Sequence, residues 1–454
     1  MDRTEPQQPM AEGDGDSPPK PSGATPPGAT GAGPAEPSDA PDPPARSDPA
    51  ETPRAPASPG PPGPAEAPEV PESSGVREAV EGSGGPASPG PPGPVEASEA
   101  PDPSGVPDAS RGERRRPWAR RVGRAALVLV LALLVPLLAA GTALRVNYMG
   151  DPADGTYTRD RDAMWLGHAW VDGRKKDADV TALARRLEDT GIRDLYVHSG
   201  PLEHDGTLPK SAYPRARWLI DAVHRELPGV RVQAFLGDVL ANGGPDGLHL
   251  DRAATRAAVV RSAGQVLDAG YDGVHLDLEP LHSGDRDYLS LLDDLRAVTR
   301  ARDAQLSVAA HQIDPLPALH SVFGLFTEHP KWWSQEFFGQ VARRVDQIAV
   351  MTYDTAQPLE GTYGGYVAQQ TSLALEVTPP TTHLLIGLPF YHESNFDHWG
   401  HAETVAAAVR GARLGLSRTD PGRELFGVAP YIDFAATETN WNEYRNGWLR
   451  PNAS

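Results

Sequence analysis

From Met164 onward, eight apolar runs of strand length recur along the chain, most of them followed by a stretch with helical spacing. MWLGHAWV (from Met164) precedes ADVTALARRLEDTG, RDLYVHSG (from Arg193) precedes YPRARWLIDAVHREL, and VRVQAFLGD (from Val230) precedes DRAATRAAVVRSAGQVLDAG. DGVHLDLEP (from Asp272) precedes DRDYLSLLDDLRAVTRARD, and QLSVAAH (from Gln305) and DQIAVMTYD (from Asp346) come next. HLLIGLPFY (from His383) with AETVAAAVRGARL, and FGVAPYIDF (from Phe426) with ETNWNEYRNGWL, complete the series. Near-continuous apolar runs of this length are typical of strands covered on both faces, as in a parallel sheet wrapped by helices. Eight of them predict an α/β fold, a closed (β/α)8 TIM barrel over residues 145–454. An open doubly wound sheet is the alternative, but no early run is followed by a glycine-rich phosphate turn.

The residues ahead of the barrel obey different physics. Up to Ser110 there is no Leu, Ile, Phe, Tyr or Trp, and 29 of the 48 prolines fall there. Such a segment cannot bury enough apolar surface to offset its chain entropy, so residues 1–110 are expected to form a disordered, acidic, Pro/Gly/Ala-rich tail. Within it ASPGPPGPAEAPEVPESSGVREA (from Ala57) returns as ASPGPPGPVEASEAPDPSGVPDA (from Ala87) without the strict glycine period of collagen, which suits a solvated polyproline-type spacer. Residues 111–124, RGERRRPWARRVGR, then carry seven Arg and one Glu.

Ala125 to Leu144 is a run without charge, and at about 1.5 Å per residue a helix of that length spans a bilayer core. Pro136 inside it is tolerated in lipid. The arginines on its N-terminal side put the tail in the cytoplasm and the barrel outside, so the expectation is a single-pass cell-membrane protein. A buried core helix and a cleavable signal ending near Gly141-Thr142-Ala143 are the alternatives. The net charge of −19 divides accordingly into −14 on the tail, +6 on the basic segment and −11 on residues 145–454. The absence of Cys excludes disulfides, cysteine zinc sites and a thiol nucleophile.

In a barrel of this kind, chemistry sits where the strands end. On the fourth strand, alternation turns Val274, Leu276 and Leu278 outward and His275, Asp277 and Glu279 inward. Three ionisable groups on an interior face cost several kcal/mol to desolvate unless they pair, so a strand used only for packing would carry Val or Ile there. A structural polar cluster is the bland alternative.

These residues resemble a known family. DGVHLDLE from Asp272 is similar to the D-G-x-D-x-D-x-E signature of glycoside hydrolase family 18, the chitinases and endo-β-N-acetylglucosaminidases, matching at Asp272, Gly273, Asp277 and Glu279. Met351-Thr352-Tyr353-Asp354 resembles the family's M-x-Y-D on strand six, and GLPFY from Gly387 its G-L-P-x-Y on strand seven, ending at Tyr391. The three motifs occur in family order. The chain departs from the pattern at His275, where the family has Asp, at the third strand, which has no S-x-G-G, and at Tyr431, where the family has Trp.

The resemblance implies hydrolysis of β-linked N-acetylhexosamine glycans with retention, in which the substrate's own acetamido oxygen attacks the anomeric carbon. It implies Glu279 as general acid and base, Asp277 as the group that orients the acetamide, and Tyr353 as donor to its carbonyl. His275, Asp354, Tyr391, Tyr431, His168 and His311 are the candidate substrate-binding residues.

His198 and Asp238 also fall at predicted strand ends, and Trp332, Trp333 and Trp399 are candidates for stacking on sugar or for packing under loops. No cofactor, no metal and no nucleic-acid partner is expected. The expected partners are an N-acetylhexosamine-containing polysaccharide or glycan and the membrane. A glycan-binding barrel without catalysis is the rival reading. A metal-dependent hydrolase barrel is the third, although Gly167-His168-Ala169 lacks the His-x-His that it would want on strand one.

Overall fold

The structure, a computed structural model, describes residues 117–324 and 331–450. The tail over 1–110 and the first residues of the basic segment, 111–116, lie outside the described residues.

The strands are β1 (Asp162–Leu166), β2 (Ile192–Pro201), β3 (Arg231–Val239), β4 (Gly273–Glu279), β5 (Gln305–Ala310), β6 (Gln312–Ile313), β7 (Trp332–Trp333), β8 (Gln347–Val350), β9 (His383–Pro389) and β10 (Phe426–Tyr431). Eight of them form one parallel sheet in the order β1-β2-β3-β4-β5-β8-β9-β10, while β6 and β7 make a small ribbon of their own after β5. Each barrel strand begins at one of the eight apolar runs in the sequence.

The sheet closes because β10 returns beside β1, and a buried carboxylate joins the two. Asp162 Oδ1 accepts from Val428 N at 2.9 Å and from Trp448 Nε1 at 3.0 Å. Its Oδ2 accepts from the Tyr444 hydroxyl at 2.8 Å and from Thr158 Oγ1 at 2.9 Å. Four donors on one carboxylate replace the ladder hydrogen bonds that the seam lacks.

Helices cover the outside: α2 (Asp177–Leu187), α3 (Ala216–Glu226), α4 (Ala253–Asp268), α5 (Arg286–Arg300), α7 (Gln335–Ala342), α8 (Glu360–Val377), α9 (Val405–Thr419) and α10 (Glu438–Trp448), with a short α6 (Leu319–Phe323) in the loop after β6. Their starts are chemically marked. Asp285 accepts from Tyr288 N ahead of α5, Ser334 from Phe337 N ahead of α7, and Thr404 from Ala407 N ahead of α9. The outward-facing Val274, Leu276 and Leu278 are buried in the layer between sheet and helices, where each such side chain contributes roughly 1.5–3 kcal/mol.

The barrel interior has its own stack of layers. At the bottom Arg231 grips Asp194 with two hydrogen bonds of 2.7 Å, and Gln233 and Gln347 donate to the same carboxylate. Above this lie Trp165, Tyr196, Phe235 and Leu385.

Ahead of the barrel, α1 (Pro117–Asn147) is a single helix through the uncharged run, longer at both ends than the expected span 125–144. Leu127 to Val130 and Leu137 to Leu138 are exposed along it.

Candidate active site

Strand ends and the loops after them enclose a cavity of about 820 Å³ at the C-terminal mouth of the barrel, lined by Asp277 and Glu279 with Tyr353, Asp354, Tyr431 and His311 among others. The alternation of β4 explains the first two. Gly237 of β3 sits opposite Asp277 and Val239 opposite Glu279, so both carboxylates rise on the inner face, one strand repeat apart. Gly237 has no side chain to crowd Asp277: a Cβ there would lie 3.1 Å from the Asp277 carbonyl oxygen.

Asp277 Oδ1 is buried with no hydrogen-bond partner among the described residues. Burial first, and the charge of Glu279 second, push its pKa well above the usual carboxylate range. Glu279, with about half of its side chain exposed at the mouth, is also raised, by desolvation and then by the charge of Asp354. The pair therefore holds a proton at pH values where isolated carboxylates have lost theirs. His311 Nε2 lies 3.6 Å from Glu279 Oε1 and accepts from Leu281 N at 3.3 Å. Burial lowers this imidazole to about 4, so it stands beside Glu279 as a neutral ring.

His275 sits one layer lower. It is completely buried, stacked on Tyr196 with ring centroids 3.8 Å apart. Trp165 Nε1 donates to its Nε2 at 3.0 Å, and its Nδ1 is 2.8 Å from Ser307 Oγ, whose own hydroxyl donates to Gln233 Oε1 at 2.8 Å. That chain of donors fixes the neutral Nδ1–H tautomer, and burial lowers the pKa to about 3. Both ring nitrogens are thus occupied away from Asp277. His275 does not line the cavity and does not hold Asp277; it is a hydrogen-bonded core residue, and the reading of it as substrate-binding is corrected by this enclosure.

The opposite wall is aromatic. Tyr353 and Tyr431 stack with centroids 5.1 Å apart, and Tyr431 sets its edge on Trp165 below. Burial raises the Tyr353 hydroxyl well above its ordinary value, so it remains a donor. Gln312 pins the turn that carries it, donating to the carbonyls of Met351 and Tyr353 at 3.0 and 2.9 Å. Asp354 follows with φ +54°, and its Oδ1 accepts the Tyr391 hydroxyl at 2.6 Å.

Behind Asp354 is a group that no motif marked. His398, fully buried, places Nδ1 3.2 Å from Asp354 Oδ1 and 3.3 Å from Glu403 Oε2, while Glu403 also accepts from Thr355 N and Oγ1 at 3.0 Å. Burial works against a charge on His398, but the two carboxylates prevail and lift it to about 9. Asp354 is correspondingly lowered: desolvation opposes this, and His398, Tyr391 and Lys331 outweigh it.

His168 lies elsewhere, between the ends of β1 and β2, with Nδ1 3.1 Å from the His198 carbonyl oxygen; it does not line the cavity. Asp238, nearly buried, faces His204 at 3.2 Å. Among the tryptophans, Trp332 lines the cavity, Trp333 is buried and donates to the Leu281 carbonyl at 2.9 Å, and Trp399 is partly exposed outside it. Lys331, Phe396 and Asp397 also line the mouth without having been marked in the sequence. Among the described residues no three His, Asp or Glu converge as a metal site.

No family model matches the sequence. No curated protein matches it either. Solved structures with a similar backbone include a class V chitinase from Pseudomonas fluorescens, 14% identical over 63% of this chain and 99% of that one, with a TM-score of 0.42. A chitinase from Chromobacterium violaceum is 13% identical over 64% of this chain and 99% of its own, with a TM-score of 0.45. The spore cortex-lytic enzyme SleL of Bacillus cereus is 12% identical over 65% and 76%, with a TM-score of 0.43. At such identities and TM-scores these are likenesses of backbone only, and the eight-stranded parallel barrel is read from this chain's own strand order.

Proposed function

We propose that the protein is a membrane-anchored glycoside hydrolase that cleaves β-linked N-acetylhexosamine glycans by substrate-assisted retention. The observation that carries this reading is the pair Asp277 and Glu279 on one strand face, proton-holding and facing Tyr353 across a cavity large enough for sugar residues.

In this mechanism protonated Glu279 gives its proton to the glycosidic oxygen as the bond from that oxygen to the anomeric carbon breaks. The acetamido carbonyl oxygen of the same sugar forms the new bond to that carbon, giving an oxazolinium ion and releasing the leaving sugar as an alcohol. Asp277 Oδ1, a buried acceptor without a donor among the described residues, takes the acetamido N–H and stabilises the positive charge that develops. Tyr353 donates to the acetamido oxygen and orients it. Glu279, now a carboxylate, removes a proton from water as the water attacks the anomeric carbon, which restores the acetamide and the acid with net retention. Tyr431, Tyr391 and Asp354 hold the sugar. The helix α1 spans the bilayer, with the arginine-rich segment on the cytoplasmic side and the barrel outside.

The test is turnover of N-acetylglucosamine oligomers by the full chain and by Glu279→Gln. Sugar release that Glu279→Gln abolishes supports the enzyme. Binding of oligomers with no release by the native chain would leave a glycan-binding barrel instead.

A further inference from the structure

We infer that a cationic trough on the flank of the barrel, between α3, α4 and α5, is a second binding site, and that its ligand is a linear polyanion bearing phosphate groups. The site is separate from the catalytic mouth, and the inference does not depend on the glycosidase reading.

The trough has a volume of about 690 Å³, and Lys210, Arg217, Arg261 and Arg302 line it, with Asp268 the one carboxylate among the described residues of its lining. Residues 145–454 as a whole carry a charge of −11, so four cations gathered here reverse the sign of their surroundings. Like charges brought together on one surface repel, and an anion lying among them relieves that repulsion.

Helix α4 supplies the base of the trough. Val260, Arg261, Gly264, Gln265 and Asp268 recur at helical spacing on one face, which extends about 12 Å along the axis. Lys210, in the turn before α3, and Arg217, in the first turn of α3, stand on one side, and Arg302, just after α5, stands on the other. Ala216, Val260 and Val298 add apolar surface between them.

Two glycines make room for the guanidiniums. Gly270 has φ +109°, and a Cβ there would lie 2.6 Å from Arg217 Nη1, which donates to the Ala269 carbonyl at 3.4 Å. Arg302 passes over Gly264, where a Cβ would touch its Nη2 at 3.6 Å.

The charges are only partly answered within the protein. Arg302 Nε donates to Asp268 Oδ1 at 3.0 Å, and Arg217 Nε lies 3.5 Å from Asp221 Oδ1 across an exposed pair that contributes little. Lys210 and Arg261 are exposed and have no carboxylate oxygen within 4.0 Å among the described residues. Guanidiniums present paired N–H donors that match phosphate oxygens, and cations spread along about 12 Å suit charges repeated along a chain better than one small anion.

The test is site-resolved chemical protection of the full chain in detergent. Phenylglyoxal modifies exposed arginines, and mass spectrometry of the peptides gives the rate at each one. Long-chain inorganic polyphosphate is expected to slow modification of Arg217 and Arg261 several-fold, and added salt to reverse the effect. Arg185, exposed on α2 outside the trough, is expected to react as before. Arg261→Glu is expected to remove the protection of Arg217 while leaving turnover of N-acetylglucosamine oligomers unchanged; Arg261→Gln gives the same comparison without charge reversal. Equal reactivity of Arg217 and Arg261 with and without polyphosphate would overturn the site, as would equal protection of Arg185. Inorganic phosphate protecting as well as the polymer at the same phosphate concentration would overturn the linear ligand.

Discussion

The Tyr391 hydroxyl donates to Asp354 Oδ1 at 2.6 Å, and the buried His398 approaches the same oxygen from the other side at 3.2 Å. The Tyr391 hydroxyl and the nearby imidazole hold Asp354 as an anion beside the mouth, and its charge is one of the two causes that raise the pKa of Glu279. Replacing Asp354 by Asn removes that repulsion and lowers the pKa of the acid. The alkaline limb of the pH–rate profile, where Glu279 loses its proton, is therefore expected to move to lower pH. An unmoved limb would separate Asp354 from the acid.

His398 gives a second pH dependence, in stability. Its pKa in the folded protein is about 9 against about 6.5 for an ordinary imidazole, so the folded state binds the proton more tightly. The stabilisation is complete below pH 6.5 and disappears as pH rises through 9, amounting to about 3 kcal/mol at most. Thermal unfolding of the full chain in detergent should show Tm falling across that window, and His398→Gln should be less stable at pH 6 and lack the fall.

The seam carboxylate should be costly to alter. Asp162→Asn turns an NH2 group toward donors, leaving at least one of Trp448, Tyr444 or Thr158 without its acceptor. A loss of about 1–3 kcal/mol is expected, read by chemical denaturation followed through near-ultraviolet circular dichroism.

Tyr353→Phe keeps the stack on Tyr431 and removes only the hydroxyl. If that hydroxyl donates to the acetamide as charge develops, kcat should fall roughly 10²-fold, with a smaller change in KM. A rise in KM with kcat unchanged would assign Tyr353 to ground-state binding.

How far the sequence was legible varies by residue. The eight apolar runs coincide with the eight barrel strands because a strand covered on both faces has to be apolar along its length. Helix α8 gave no such signal. Tyr363, Tyr366 and Val367 are buried and Gly361, Gly364 and Gly365 lie under α1, so it is covered nearly all round and shows no stripe. Alternation turned His275, Asp277 and Glu279 inward together, but it is silent on depth. Trp165, Tyr196 and Ser307, on three other strands, enclose His275 below the cavity. His398 meets Asp354 and Glu403 only because the loop after β9 folds over the mouth, and nothing local in NFDHWGHAE marks them.

The central claim is that Glu279 acts with the substrate's own acetamide as its partner. It is tested most directly by presenting the full chain with an N-acetylglucosamine oligomer and with the same oligomer deacetylated, and following the new reducing ends by proton NMR. The account predicts that only the acetylated oligomer is cleaved and that the first product carries the β-anomer. Comparable cleavage of the deacetylated oligomer, or an α-anomer as the first product, would contradict it.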